Sequence, residues 1–232
     1  AGDDFSTTLT RLAARSDSEN ARDGMLDEVR IMRDEFGADL VTMVLRRSPE
    51  TASCGLAYLL PGDGDLTAAP FAYNVIDMSS SCQPSDLILA HEIGHNQGAD
   101  HDRETAAESA LLVNPSNPDL PQPGEYQYGF RRCRDGSVDD FGAAPYFYTI
   151  MAYQCGVVQP IMYFSNPDVV VSGAATGVDP ALDPERAAFT ARTLNESAFG
   201  VAAFREALPY APLPPSNLLA LATGPFSVEL YW

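Results

Sequence analysis

The sequence predicts an α/β (α+β) domain on three observations. A helical apolar period runs straight into a buried strand near residue 39. Two further stretches of strand length precede residue 78. A helix after them carries two histidines four residues apart. The elements follow in order. Leu9 and Leu12 share a short helix face in a weakly patterned opening. Met25, Leu26, Val29, Ile31, Met32 and Phe36 recur at helical spacing, and Gly37 is placed to end that helix. Residues 39–45 (DLVTMVL) read as a buried strand and residues 56–60 as a second. Residues 61–65 (PGDGD) read as a tight loop. Residues 71–77 (FAYNVID) alternate like a strand exposed on one side. A helix capped by Ser85 or a neighbour runs through Leu87, Ile88, Ile93 and His95 to about Gln97, and Gly98 stops it.

Past His101 the period fades. Residues 114–124 are rich in Pro and Asn, and residues 136–167 hold short apolar pieces without a clear repeat. Residues 184–208 return as an amphipathic helix. Ala188, Phe189, Ala191, Leu194, Ala198, Phe199, Ala202 and Phe204 are its expected apolar side, and Gly200 weakens it. Residues 1–208 are thus expected as one domain, with a cleft near residues 98–101. Residues 209–216 read as a stiff, Pro-rich linker. Residues 217–232 resemble the first two strands of a fibronectin type III domain, with Val228, Leu230 and Trp232 as the inward face. Two strands cannot form that sandwich alone, so a longer parent protein is expected.

The formal net charge is -18 and every basic residue is an arginine. Such a surface repels phosphates, which argues against a nucleic-acid partner. It suits solubility, or a preference for basic substrates. No apolar run approaches the roughly 18 residues of a membrane span. No signal peptide opens the sequence, so an exported protein would have had its signal upstream, since removed. Cys54, Cys82, Cys133 and Cys155 lack the C-x-x-C spacing of a zinc cluster and fit two disulfides. Of three formal pairings the sequence-local one, Cys54–Cys82 with Cys133–Cys155, is favoured over the others. Two bridges imply an oxidising compartment, hence a secreted protein; four buried thiols in a cytosolic protein are the rival reading. A monomer is expected.

Residues 91–102 read HEIGHNQGADHD and hold every histidine in the protein. Random placement of three histidines gives this spacing roughly once in ten thousand, so chance is a weak rival. His91 and His95 lie one helical turn apart on one face, so their rings can converge on one ion. Gly98 lets the chain leave the helix with a positive φ, and His101 then approaches from the far side. Three protein ligands leave a fourth position open for water, the pattern of a catalytic zinc site. Glu92, beside a ligand but off the metal axis, is placed to act as general base.

These residues resemble the signature HExxHxxGxxH of the metzincin zinc peptidases. Asp102 after the third histidine makes the chain similar to the reprolysin or adamalysin branch, and to its bacterial peptidyl-Asp metallopeptidase group. The resemblance covers roughly residues 25–208. It implies a zincin fold with a small mixed sheet, one catalytic zinc ion, and hydrolysis of extended protein or peptide substrates. It implies that residues 149–153 (TIMAY) are a methionine turn, with Met151 as a packing floor. Tyr153 sits where the astacin and serralysin branches keep a tyrosine that assists catalysis; the reprolysin branch usually lacks it. Phe71, Ala72, Tyr73, Asn74 and Val75 fall where the clan pairs an edge strand with substrate. Residues 161–167, with Tyr163 and Phe164, fall where it walls the pocket beyond the scissile bond. Asp102 is weighed equally as a brace behind the ligands and as a surface acid. The clan's sheet begins with a strand and a helix ahead of residue 25, and no convincing strand stands there in this sequence.

Arg131, Arg132 and Arg134 form the basic cluster. Pairing with Asp135, Asp139 and Asp140 is favoured for them over selection of acidic substrates. Asp63 and Asp65 suggest calcium, but supply too few spaced oxygens to support it. The rival from another class is a non-catalytic, zinc-stabilised adhesion module, against which Glu92 speaks. A third reading is a zinc hydrolase acting on something other than peptide.

Overall fold

The computed structural model describes residues 4–13, 26–46, 53–77, 79, 82, 85–116, 118–134, 143–206, 219–224 and 227–231. The upper half is built on a three-stranded sheet. Strand β1 (Val41–Val44) runs parallel to β3 (Tyr73–Ile76), and β2 (Gly55–Ala57) runs antiparallel to β3 on its other side. Alternate side chains of a strand point to opposite faces. Tyr73 and Val75 therefore share one face and join Phe5, Leu9, Leu12 and Ala13 of α1 (Phe5–Ala13) in a core cluster. Asn74 faces the other way. Its side-chain amide donates to Asn96 Oδ1 at 2.8 Å, just past the end of α3 (Ser85–His95). Asn96 in turn donates to the carbonyls of Tyr58 and Tyr73 at 3.0 and 3.2 Å. These bonds hold the end of the histidine-bearing helix against the sheet.

The expected strand over residues 71–77 exists in part, but in a different role. Phe71 closes a 3₁₀ turn (Leu66–Phe71), and Ala72 follows as a buried link. Tyr73, Asn74 and Val75 lie in the central strand, where Tyr73 pairs with β1 and Asn74 and Val75 pair on both sides. They offer no free edge to a peptide. The alternation misled because its polar member, Asn74, bonds to Asn96 rather than to water. Among the described residues β1 and β2 each pair on one side only, so both are edge strands, and β2 is the edge beside α3.

Helix α2 (Asp27–Phe36) ends at Gly37, which adopts a left-handed φ of 61°. Its expected apolar face is only partly used. Leu26 and Val29 pack on the core, while Ile31, Met32 and Phe36 are exposed. The buried residue of that helix is Arg33. Its guanidinium donates to the carbonyls of Ala38 (2.9 Å), Ala69 (2.8 Å) and Asp39, and lies over the Tyr73 ring. Carbonyl dipoles and a ring face solvate the cation there in place of water.

The lower half holds short pieces of sheet. Strand β4 (Asp100–Asp102) pairs parallel with β5 (Tyr128–Gly129). Strands β6 (Arg131–Arg132), β7 (Phe147–Tyr148) and β8 (Gln159–Pro160) form a second sheet in that order. Strands β9 (Val170–Val171) and β10 (Ala174–Ala175) pair antiparallel. Helix α4 (Arg103–Val113) was not foreseen, because its composition has no apolar stripe. Asp102 caps it, accepting from Thr105 N at 3.0 Å. The expected helix over residues 184–208 is broken. A 3₁₀ turn (Pro184–Arg186) precedes an extended bridge between Ala188 and Val178, and α5 (Thr190–Val201) starts only then. Its buried residues are Thr190, Thr193, Ser197 and Val201, and Phe199 is exposed.

Both disulfides form as paired above, Cys54–Cys82 and Cys133–Cys155, with Cα atoms 5.5 and 5.7 Å apart. Such loops each contribute about 3–4 kcal/mol in the chain-entropy view. Strands β11 (Leu219–Gly224) and β12 (Ser227–Tyr231) pair as an antiparallel hairpin. The linker expected at residues 209–216 lies outside the described residues. No helix among the described residues is long and apolar enough to cross a membrane.

Replacing Arg33 by Met tests the buried cation. It leaves several buried carbonyls without a donor, so a loss of about 3 kcal/mol is expected in urea unfolding. A loss under about 1 kcal/mol would show that these bonds hold little.

Candidate metal centre

Helix α3 delivers the first two ligands of the site. His91 and His95 stand one turn apart, with their Nε2 atoms 3.1 Å from each other. The third comes from β4. After His95 the chain reverses at Gly98, whose φ is +86°. Gly98 N and Ala99 N bond back to the carbonyls of His95 and Gly94, closing the helix end. A side chain at Gly98 would also strike Gly62, with its Cβ 2.3 Å from Gly62 Cα. His101 then brings its Nε2 to 3.1 Å from that of His95.

The donor set fits zinc. His91 Nδ1 donates to Ile150 O at 2.7 Å and His95 Nδ1 to Ala99 O at 2.8 Å. Both rings are thereby held in the tautomer that turns the Nε2 lone pair inward. Two such lone pairs facing each other repel unless a cation lies between them. Burial lowers the pKa of all three histidines, that of His101 to about 4, so they stand as neutral ligands near neutral pH. Tetrahedral ligands at the usual zinc–imidazole distance sit about 3.3 Å apart, close to the spacing found. Among the described residues the three histidines are the group of metal-ligating side chains that converges in this way. Asp63 and Asp65 instead accept backbone bonds within their own turn, from Asp65 N and Thr67 N.

Glu92 is 5% exposed and lies against the backbone of β2. Burial pushes its carboxyl up to about 8; a nearby dication acts in the opposite sense, favouring the carboxylate. A cavity of about 390 Å³ opens beside His91 and Glu92, walled by Leu87, Ile88, the Cys54–Cys82 bridge and residues 148–150. Tyr163 and Phe164, expected as wall residues, do not line it. Tyr163 O accepts from Ile150 N at 3.0 Å, and the Phe164 ring packs toward Gly94.

Met151 is fully buried beneath α3, its sulfur packed on Gly94. Tyr153 is half exposed, with its ring centroid 4.5 Å from that of His101. Burial first, then the carboxylates of Glu92 and Asp102, raise the pKa of its phenol, which keeps the proton on oxygen. Asp102 is 1% exposed, a buried acid and not a surface one. Besides capping α4, it accepts from Tyr153 N at 2.9 Å and pairs with Arg131 at 3.2 Å. It thus joins the strand carrying His101 to the segment carrying Met151 and Tyr153. Arg131 also pairs with Glu104. The partners expected for the arginine cluster, Asp135, Asp139 and Asp140, lie outside the described residues.

Sequence reasoning missed Gly55, the outer position of β2, the cavity walls and the Asn74–Asn96 pair. Only Asn96 carried a signal, as a polar residue directly after a ligand. The rest depend on which strand is outermost.

Residues 3–165 match the description of metallo-peptidase family M12. Three curated relatives are named peptidyl-Asp metalloendopeptidase. One is from Stenotrophomonas maltophilia, 30% identical over 183 residues, 78% of this chain and 36% of that protein. One is from Pseudomonas aeruginosa, 30% identical over 187 residues, with shares of 77% and 28%. One is from Xanthomonas campestris pv. campestris, 31% identical over 202 residues, with shares of 87% and 38%. The chain spans about a third of the length of these relatives. A chain from a solved structure of a chaperone–substrate complex is similar at a TM-score of 0.45 and 17% identity, covering 87% of this chain and 30% of the other. With three histidines gathered for zinc and the match over residues 3–165, the chain belongs to metallo-peptidase family M12.

Proposed function

We propose that the domain over residues 1–208 is a zinc-dependent endopeptidase acting on extended protein or peptide substrates. The observation that carries this reading is a buried carboxylate, Glu92, next to three converging imidazoles at the mouth of a cavity. A purely structural zinc site has no use for such a base.

His91, His95 and His101 would hold zinc, which when bound would supply Lewis acidity toward water and a carbonyl. Glu92 accepts the proton of the attacking water and passes it to the departing amine. Tyr153, protonated and beside His101, donates to the carbonyl oxygen as negative charge grows there. An extended peptide pairs with the outer edge of β2, whose backbone leads to Glu92. Leu87, Ile88 and the Cys54–Cys82 bridge receive one substrate side chain. Met151 serves as the floor beneath the ligands and Asp102 as the brace behind them.

Arg131 and Arg132 give no support to an aspartate preference like that in the relatives' names. Arg131 is engaged by Asp102 and Glu104, and Arg132 donates to Pro145 O at 3.0 Å. Two disulfides support secretion. The hairpin of β11 and β12 is in keeping with the opening strands of a fibronectin-like module.

Casein digestion that requires zinc and stops with a chelator is the expected result; zinc-loaded protein without activity favours an adhesion module. Glu92→Gln is expected to keep one zinc per chain and lose at least about 100-fold in kcat. Full activity in that variant would refute the mechanism. Tyr153→Phe is expected to lower kcat about 10- to 100-fold at unchanged zinc content. Unaltered kinetics would reduce Tyr153 to scaffolding.

A further inference from the structure

We infer that Gly55 is a positioning residue for Glu92: by lacking a side chain it leaves the space in which the carboxylate is held. The inference rests on the reading of Glu92 as general base. A Cβ built at Gly55 would stand 2.3 Å from Glu92 Oε1 and 2.7 Å from both Cδ and Cγ. No carbon and carboxylate approach so closely, so one of them must yield.

What yields follows from what is fixed. Gly55 pairs with Ile76 and Leu56 with Val75, which ties β2 to the central strand. Cys54 is bridged to Cys82, and its carbonyl accepts from Asp77 N at 2.8 Å. The β2 backbone is thus anchored within one residue of Gly55. The helix backbone at residue 92 is anchored as well. Gly94 lies on Met151, and Asn96 N bonds to Glu92 O at 3.2 Å. The free element is the Glu92 side chain, whose torsions turn at little cost. An added methyl group therefore leaves the fold intact and moves the carboxylate.

The consequence falls on turnover. A base moved by about 1 Å can cost on the order of 100-fold. Metal binding is untouched, because the three Nε2 atoms are set by other contacts. The outer edge of β2 points away from β3, so the affinity for a paired peptide changes little.

The test is Gly55→Ala, alone and combined with Glu92→Gln. The single variant is expected to lose on the order of 100-fold in kcat, with KM within about threefold and zinc content unchanged. In the Glu92→Gln background the same change is expected to cost nothing further, since the group it displaces is already inactive. A crystal structure of Gly55→Ala is expected to show the carboxylate displaced by about 1 Å or more. Undiminished turnover, or an equal loss in both backgrounds, overturns the inference. Should Gly55→Ala fail to fold, Gly55→Ala with Glu92→Ala removes the obstructing atoms and is expected to fold; an unfolded double variant overturns it too. Full activity of Glu92→Gln alone marks a different failure, that of the general-base reading.

Discussion

The arrangement depends on one unfavourable geometry made useful: three neutral imidazole nitrogens turned toward one point in a mostly buried space. Backbone carbonyls of Ile150 and Ala99 hold two of the rings by their far nitrogens. Burial keeps all three rings uncharged. Left to themselves these lone pairs repel. Only a shared cation makes the packing favourable, so the fold has to impose the convergence and the metal stabilises it.

The imposition comes from rigid elements meeting at α3. Asn96 pins the helix end to β3 and to Tyr58 just past β2, and Gly98 reverses the chain so sharply that a side chain there would hit Gly62. Met151 closes the underside. Asp102 then links the third ligand's strand to Tyr153 and Arg131 through one buried carboxylate. Local bonds thus set the chemistry, while the sheet supplies a fixed wall against which Glu92 rests. That wall is β2, and its nearest residue carries no side chain.

The legible part of the site was the part written in local spacing. His91, His95, Gly98 and His101 encode their own geometry, because four residues make a helical turn and glycine tolerates a positive φ. The disulfide pairing was readable for the same reason of short separation. Position within the sheet was not readable. Residues 71–77 alternate as an edge strand does, yet Asn74 is polar because it meets Asn96 across the sheet face. Helix α4 lacked a period, and the stretch after residue 184 was interrupted by a backbone bridge to Val178 that no local pattern announces. Arg33 shows the same limit, since a charged residue surrounded by carbonyls looks on paper like a surface residue.

X-ray absorption at the zinc edge, on protein loaded with one ion per chain, tests the central claim most directly. The account predicts three imidazole nitrogens and one oxygen, all at about 2.0–2.2 Å. Sulfur near 2.3 Å, or a shell of oxygens with fewer than three imidazoles, would contradict it.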